Sequence, residues 1–172
     1  GFNRIEIQKQ THSQLDTLKL AMEDIKKKQN FFLISCDAFG FFNFKKFDEI
    51  LKKEKPDVVI FGFKPNIVQA LEKKSHTFIS SENKIINSIN IKQKKNKDDL
   101  GMAGFFWFSN GNIFNDIEKV PTDSKNEMVV DHFIKQLLRK KKRISVMSLE
   151  QYIHFGTTNE LQEFMFWKEN FG

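Results

Sequence analysis

Asp37 is the residue in this sequence best placed to do chemistry. It directly follows the apolar run Phe31-Phe32-Leu33-Ile34-Ser35-Cys36. A continuous apolar run of that length reads as a parallel strand buried on both faces. A carboxylate closing such a strand lies at the carboxyl edge of the sheet, where open α/β folds bind ligands. It is a hard oxygen donor, suited to Mg²⁺ shared with substrate phosphates. By position alone, a capping role for the loop Ala38-Phe39-Gly40 weighs equally. Glu127 and Asp131 stand four apart on one expected helix and share a face; on spacing alone that face is solvated. His154 precedes Gly156-Thr157-Thr158 in a strand-to-helix turn. Gly156 admits close backbone approach, and either threonine is a good N-cap, while a lone histidine there is more often structural. Lys64 and Lys92 each follow an apolar segment, where an ammonium group can meet phosphate, although a surface lysine is the commoner reading. Phe105-Phe106-Trp107-Phe108 reads as core, with one face free to stack on a ligand. Cys36 has no histidine near it in sequence, so a thiol nucleophile is not expected. No Gly-rich phosphate loop of either common type occurs.

These residues need elements to hold them. Residues 4–8 alternate as a short strand. Thr11 to Lys28 reads as a helix with Leu15, Leu18, Met22 and Ile25 on one face, opened by the capping pair Ser13 and Asp16. Phe44, Phe47, Ile50 and Leu51 mark a second helix, which Pro56 ends, and Asp57 to Phe63 is a second buried strand. This strand–helix–strand alternation predicts a right-handed crossover and a mostly parallel sheet. His76 to Ile79 and Ile85 to Ile91 flank Ser80-Ser81-Glu82-Asn83-Lys84 as a hairpin. Lys92 to Asp99 is a polar loop, Gly101 to Phe108 a strand, and Asn110 to Glu118 a loop with a short helix. Ser124 to Arg139 is an amphipathic helix with Met128, Phe133, Ile134, Leu137 and Leu138 inward. Ile144 to Leu149 is a strand, and Thr158 to Lys168 a last helix. The expected architecture is one α/β domain over residues 1–172, with a mixed, mostly parallel sheet flanked by helices.

Composition narrows the function classes. The chain has 172 residues, 40% hydrophobic and 29% charged, which is globular rather than disordered composition. Its longest apolar run falls far short of the ~20 residues that cross a bilayer, so no membrane span is expected. No leader is visible, and the single Cys36 excludes an internal disulfide; a reduced, cytoplasmic protein is expected. Net charge is +6, nearly all of it lysine, since arginine occurs only at Arg4, Arg139 and Arg143. Nucleic-acid grooves favour arginine, so the lysines read as a solvated coat that still suits an anionic nucleotide substrate.

Taken in order, the pieces resemble the sugar-1-phosphate nucleotidyltransferases. Thr11-His12-Ser13-Gln14-Leu15-Asp16-Thr17 resembles the family's Thr-x-Gly-Gln-Ala-x-Thr helix start. Phe32 to Asp37 resembles the strand ending in its metal-binding aspartate. Ile60 to Pro65, and the hairpin ending Ser88-Ile89-Asn90-Ile91-Lys92, follow in the family order. Ala103-Gly104-Phe105-Phe106 matches the strand whose glycine lies beside the sugar. Asn126-Glu127-Met128-Val129-Val130-Asp131 resembles a Glu-x-Tyr-x-x-Asp helix, and Tyr152 to Leu161 resembles the Asp-x-Gly-Thr-Pro turn. His154 stands where the family has its second metal aspartate, and Thr158 where it has proline. The family's opening strand, its Gly-x-Gly-x-Arg loop and the Pro-Lys pair have no counterpart.

The resemblance implies a Rossmann-like nucleotidyltransferase domain whose N-terminal part is missing. It implies transfer of a nucleotidyl group from a nucleoside triphosphate to a sugar 1-phosphate, for capsule or lipopolysaccharide sugars, by a chain that alone turns over negligibly. The implied roles are Asp37 and His154 for Mg²⁺, Asp37 and Lys92 in catalysis, and Gln14, Gly104, Glu127 and Asp131 toward substrate. The expected partners are the two substrates and a second copy of the chain, with neither membrane nor nucleic acid. Two other classes stay open: a glycosyltransferase-like nucleotide-sugar binder, although Phe39 breaks an Asp-x-Asp pattern, and a non-catalytic basic RNA-binding protein using residues 92–97 and 139–143.

Overall fold

The computed structural model describes residues 10–22, 29–66, 69, 76–82, 85–120 and 128–171. In chain order these form α1 (Gln14–Ala21), β1 (Phe31–Ile34), β2 (Ala38–Phe41), α2 (Phe44–Glu54), β3 (Val58–Phe63), β4 (Phe78–Glu82), β5 (Ile85–Asn90) and β6 (Leu100–Phe108). A 3₁₀ helix (Gly111–Lys119), α3 (Val130–Arg139), β7 (Ile144–Ser148), β8 (Gln151–His154) and α4 (Thr158–Phe171) follow. Two of the helices start where the sequence supplies a side-chain cap. Ser13 caps α1, and the Asn43 side chain accepts from the Lys45 and Lys46 amides at the head of α2. Among the described helices none is long and apolar enough to cross a membrane.

The mixed α/β fold expected from the sequence is present, but the balance of strand directions is corrected. The main sheet runs β5-β4-β6-β3-β7, with β1 also paired to β6. Among the described pairs only β3–β7 is parallel; β1–β6, β3–β6, β4–β5 and β4–β6 are antiparallel. β1 and β3 do run parallel to each other, but β6 lies between them. Among the described residues β1 pairs only with β6, and it is not buried on both faces: its burial alternates, leaving Phe32 and Ile34 exposed. Its apolar continuity comes from aromatic packing on both faces, since the part-exposed Phe32 ring lies 5.6 Å from Phe47 and 6.1 Å from Phe61. Phe31 stacks on Phe108, with ring centroids 5.2 Å apart.

β6 divides the core. Met102, Phe106 and Phe108 face the layer formed by α1, α3 and the 3₁₀ helix, with Val58, Ile60, Phe133 and Leu137. Ala103, Phe105 and Trp107 face α2 and β2, with Val59, Phe61 and Phe47. Fully burying a phenylalanine such as Phe61 or Phe133 stabilises the fold by about 1.5–3 kcal/mol. The run expected as a loop, residues 38–40, is strand: β2 pairs antiparallel with β8 in a separate ribbon. Gly40 lets that ribbon lie close on the sheet, because a Cβ there would come within 2.9 Å of both Leu149 and Phe105.

Candidate functional site

The site starts at a fault in β6. Between Ile60 and Gly62 the β3–β6 register shifts, and opposite this shift Gly104 adopts φ +73°. Only glycine takes that conformation without strain. A Cβ on Gly104 would also approach the Ser35 Cβ to 3.0 Å. This closeness couples β6 to the end of β1. The Ser35 amide donates to the Gly104 carbonyl at 3.0 Å, and the Ser35 hydroxyl donates to Asp37 Oδ1.

The β2–β8 ribbon brings the other half. Ala38 pairs with His154, and the Phe155 amide donates to the Asp37 carbonyl at 2.8 Å. His154 Nε2 therefore lies 3.7 Å from Asp37 Oδ2. Gly156 makes room for both, since a Cβ there would sit 2.6 Å from His154 Nε2 and 2.9 Å from Asp37 Oδ2. On the other side of the imidazole, His154 Nδ1 is 2.7 Å from Glu160 Oε2. Glu160 is aimed by the cap of α4. Thr157 Oγ1 accepts from the Glu160 amide at 3.2 Å and donates to Glu160 Oε2 at 2.8 Å, a capping box.

His76 completes the group. It is 5% exposed, its ring lies 5.3 Å from the His154 ring, and its Nε2 is 3.9 Å from Glu160 Oε1. His76 Nε2 and Glu160 Oε1 are buried without a hydrogen-bond partner among the described residues. Burial pushes the His76 imidazole below its ordinary pKa; the nearby His154 adds to that and Glu160 opposes it. Tyr152 stacks on Phe63 at 4.0 Å. Burial pushes its phenol up, and the negative charges of Asp37, Glu160 and Asp131 push it further. Burial also raises the Asp131 carboxyl, against a hydrogen bond from Thr77, the residue next to His76.

Of the residues singled out from the sequence, Asp37, His154 and Gly104 come together. Lys92 is exposed with φ +51°, two residues past the Phe78–Asn90 pair, at the same end of the hairpin as His76. Gln14 is exposed at the start of α1, a helix tied to residue 128 by the Leu15 amide, and no hydrogen bond joins it to Asp37 among the described residues. Glu127 lies outside the described residues. Sequence reasoning missed His76, Glu160 and the central role of Tyr152. The Thr157-x-x-Glu160 spacing was a legible signal for Glu160; His76 carried none beyond its apolar neighbours.

No family model matches the sequence, and no characterised protein matches it by sequence. Solved structures do match. A protein assigned as a glucose-1-phosphate thymidylyltransferase from Bacillus anthracis, solved with sucrose, superposes with TM-score 0.74 at 14% identity over 97% of this chain. A UDP-glucose pyrophosphorylase complexed with UDP-glucose gives TM-score 0.74 at 15% identity over 95% of this chain. The fold is that of the sugar-1-phosphate nucleotidyltransferases. A nucleoside-diphosphate-sugar pyrophosphorylase from Vibrio cholerae shares it with TM-score 0.66 at 16% identity over 92% of this chain. The chain spans 65%, 65% and 67% of the lengths of these three nucleotidyltransferase-fold proteins.

The donor set can be set against the Mg²⁺ that the resemblance implies. Mg²⁺ takes near-octahedral oxygen ligands. Asp37 offers a carboxylate whose side chain is 44% exposed. Its neighbour at the second position is an imidazole, held by Glu160 on its far side. The pair Asp37–His154 does not fit Mg²⁺.

Proposed function

We propose that this chain carries the sugar-1-phosphate side of a nucleotidyltransferase site. One observation carries the reading: the fault at Gly104 sets side-chain-free backbone against Ser35, whose hydroxyl donates to Asp37, in a fold shared with a protein solved with UDP-glucose. In the proposed reaction an oxygen of the sugar 1-phosphate attacks the α-phosphorus of a nucleoside triphosphate in line. The bond from that phosphorus to the bridging oxygen breaks, and pyrophosphate leaves with the electron pair. Such transfers depend on positioning and electrostatics more than on covalent help.

The chain's own residues would then divide the work. Gly104 lets the sugar reach the backbone. Asp131 and Glu127 hydrogen-bond sugar hydroxyls, whose O–H groups donate to a carboxylate. Lys92 pairs with the sugar phosphate, and Gln14 contacts the base. Asp37 is the residue on which transfer depends most. The reading is confined to the sugar-1-phosphate side, because the sequence holds no Gly-rich loop for the nucleotide phosphates, and it assigns the chain to capsule or lipopolysaccharide sugar assembly in the cytoplasm. By itself it is expected to release pyrophosphate far more slowly than ~1 s⁻¹.

Ligand-observed NMR with glucose 1-phosphate and UDP-glucose tests the reading. Both are expected to bind the wild-type chain and to lose binding in Gly104→Val. If neither ligand binds the folded chain, or if Gly104→Val binds as the wild type does, the sugar site is not here. In a complete enzyme containing this chain, Asp37→Ala is expected to abolish transfer while circular dichroism stays unchanged, because a part-exposed edge carboxylate adds little to the core.

A further inference from the structure

We infer that His76, His154 and Glu160 form a binding site for a borderline divalent transition ion of the Zn²⁺ class, distinct in donor chemistry from a Mg²⁺ site. One ligand atom from each of these residues can lie within 4.8 Å of the other two. Two imidazoles and one carboxylate are a donor set typical of zinc sites that keep a fourth position open. They come from three separate places: the approach to β4, the end of β8 and the first turn of α4.

Two unpartnered atoms point to a ligand. His76 Nε2 and Glu160 Oε1 are buried, face each other at 3.9 Å and make no hydrogen bond among the described residues. A buried donor or acceptor left unpaired costs about 1–3 kcal/mol, so such atoms are uncommon without a reason. At 3.9 Å they are too far apart for a hydrogen bond. That spacing suits two ligands of one ion, each about 2.0–2.2 Å from the metal. The His76 environment also favours the neutral imidazole, which is the form that ligates.

The surroundings hold the ligands in place. Thr157 donates to Glu160 Oε2 at 2.8 Å and fixes the carboxylate at the helix start. Asp37 Oδ2, 3.7 Å from His154 Nε2, gives that ring an anionic neighbour on the side away from Glu160. A carboxylate behind a ligating imidazole raises its basicity and holds its orientation. Phe63 packs edge-on against His76 at 5.3 Å, and Tyr152 stacks on His154. Gly156 leaves room for the His154 ring, because a Cβ there would come within 2.6 Å of Nε2. The assignment rests on these side chains and holds whether or not the chain takes part in nucleotidyl transfer.

Co²⁺ titration of the purified chain, followed by its visible d–d absorption and by calorimetric competition with Zn²⁺ and Mg²⁺, tests this. One equivalent of Co²⁺ should bind with the intense band of a low-coordinate site. Zn²⁺ should displace it and millimolar Mg²⁺ should not. Glu160→Gln and His76→Gln should each weaken binding roughly tenfold or more, whereas His12→Asn/His132→Asn, which removes the other two histidines, should bind as the wild type does. No band in the folded wild-type chain overturns the assignment. So does a band that persists unchanged in Glu160→Gln, that Mg²⁺ displaces as readily as Zn²⁺, or that disappears in His12→Asn/His132→Asn. Wild-type titration decides the matter even if one of the buried-site variants fails to fold.

Discussion

Two helices of this protein begin with the same local device and use it for different ends. At α1, Ser13 Oγ accepts from the Asp16 amide at 3.2 Å and donates to its carboxylate at 2.8 Å. At α4, Thr157 and Glu160 repeat both bonds at the same two lengths. Their surroundings differ. Asp16 is 43% exposed and its nearest cation is Lys19, at 3.8 Å on the same helix. Glu160 is 11% exposed and lies between two imidazoles from other elements. The helices differ in the opposite sense: α1 buries Leu15 and Leu18, whereas α4 buries no residue at all. The cap of α1 helps start a helix that packs into the core. The cap of α4 aims a carboxylate.

The sharpest way to break this comparison is to truncate the two acids. Glu160→Ala should cost about 2–3 kcal/mol, because it strips a partly buried charged hydrogen bond from His154. Asp16→Ala, compared at the low end of the series, should cost no more than ~0.5 kcal/mol, as exposed pairs do. Urea denaturation of both variants checks this, and equal losses would mean that the two caps serve one purpose. Between these extremes come the hydroxyls. Ser13→Ala and Thr157→Ala should each cost about 1 kcal/mol, the usual worth of an N-cap. Of the two, only Thr157→Ala should also weaken Co²⁺ binding, because it frees the Glu160 carboxylate.

A gentler effect should appear with pH. His76 has its pKa lowered on folding from an ordinary value of 6.5. Below that value the unfolded chain binds a proton that the folded chain resists. Stability from this group is therefore full above about pH 6.5 and is lost as pH falls toward the folded pKa. Melting temperatures of wild type and His76→Gln, taken from pH 7.5 down to 5, should show a smaller acid loss in the variant. Parallel curves would mean that His76 does not titrate differently in the two states.

Much of the scaffold was legible because it is written in local signals. Ser13 announced α1, the spacing of Phe44, Phe47, Ile50 and Leu51 announced α2, Pro56 ended it, and the hairpin at residues 76–91 followed from alternation across a polar turn. The position of Asp37 just past the end of β1 was legible because a charged residue directly after an apolar run ends the buried stretch. Gly104 was read only through a resemblance, since nothing in its neighbours announces φ +73°.

Tertiary structure alone decided the rest. An apolar run states that a strand is largely covered, not which strand covers it or in which direction, so β1 was read as a parallel strand buried on both faces when its pairing with β6 is antiparallel and its burial alternates. Strand direction depends on pairing with residues 105–108, remote in the chain, and no local period encodes it. The same holds for the site. Ala38 meets His154 only because β2 and β8 pair outside the main sheet, and His76 meets Glu160 only because a buried β4 and an otherwise exposed α4 converge at one point. The sequence by itself determined the caps, the apolar stripes and the placing of Asp37, because those depend on neighbours within a turn or two. The company that Asp37, His154 and Glu160 keep was set by folding, because it depends on contacts between residues that share no local pattern.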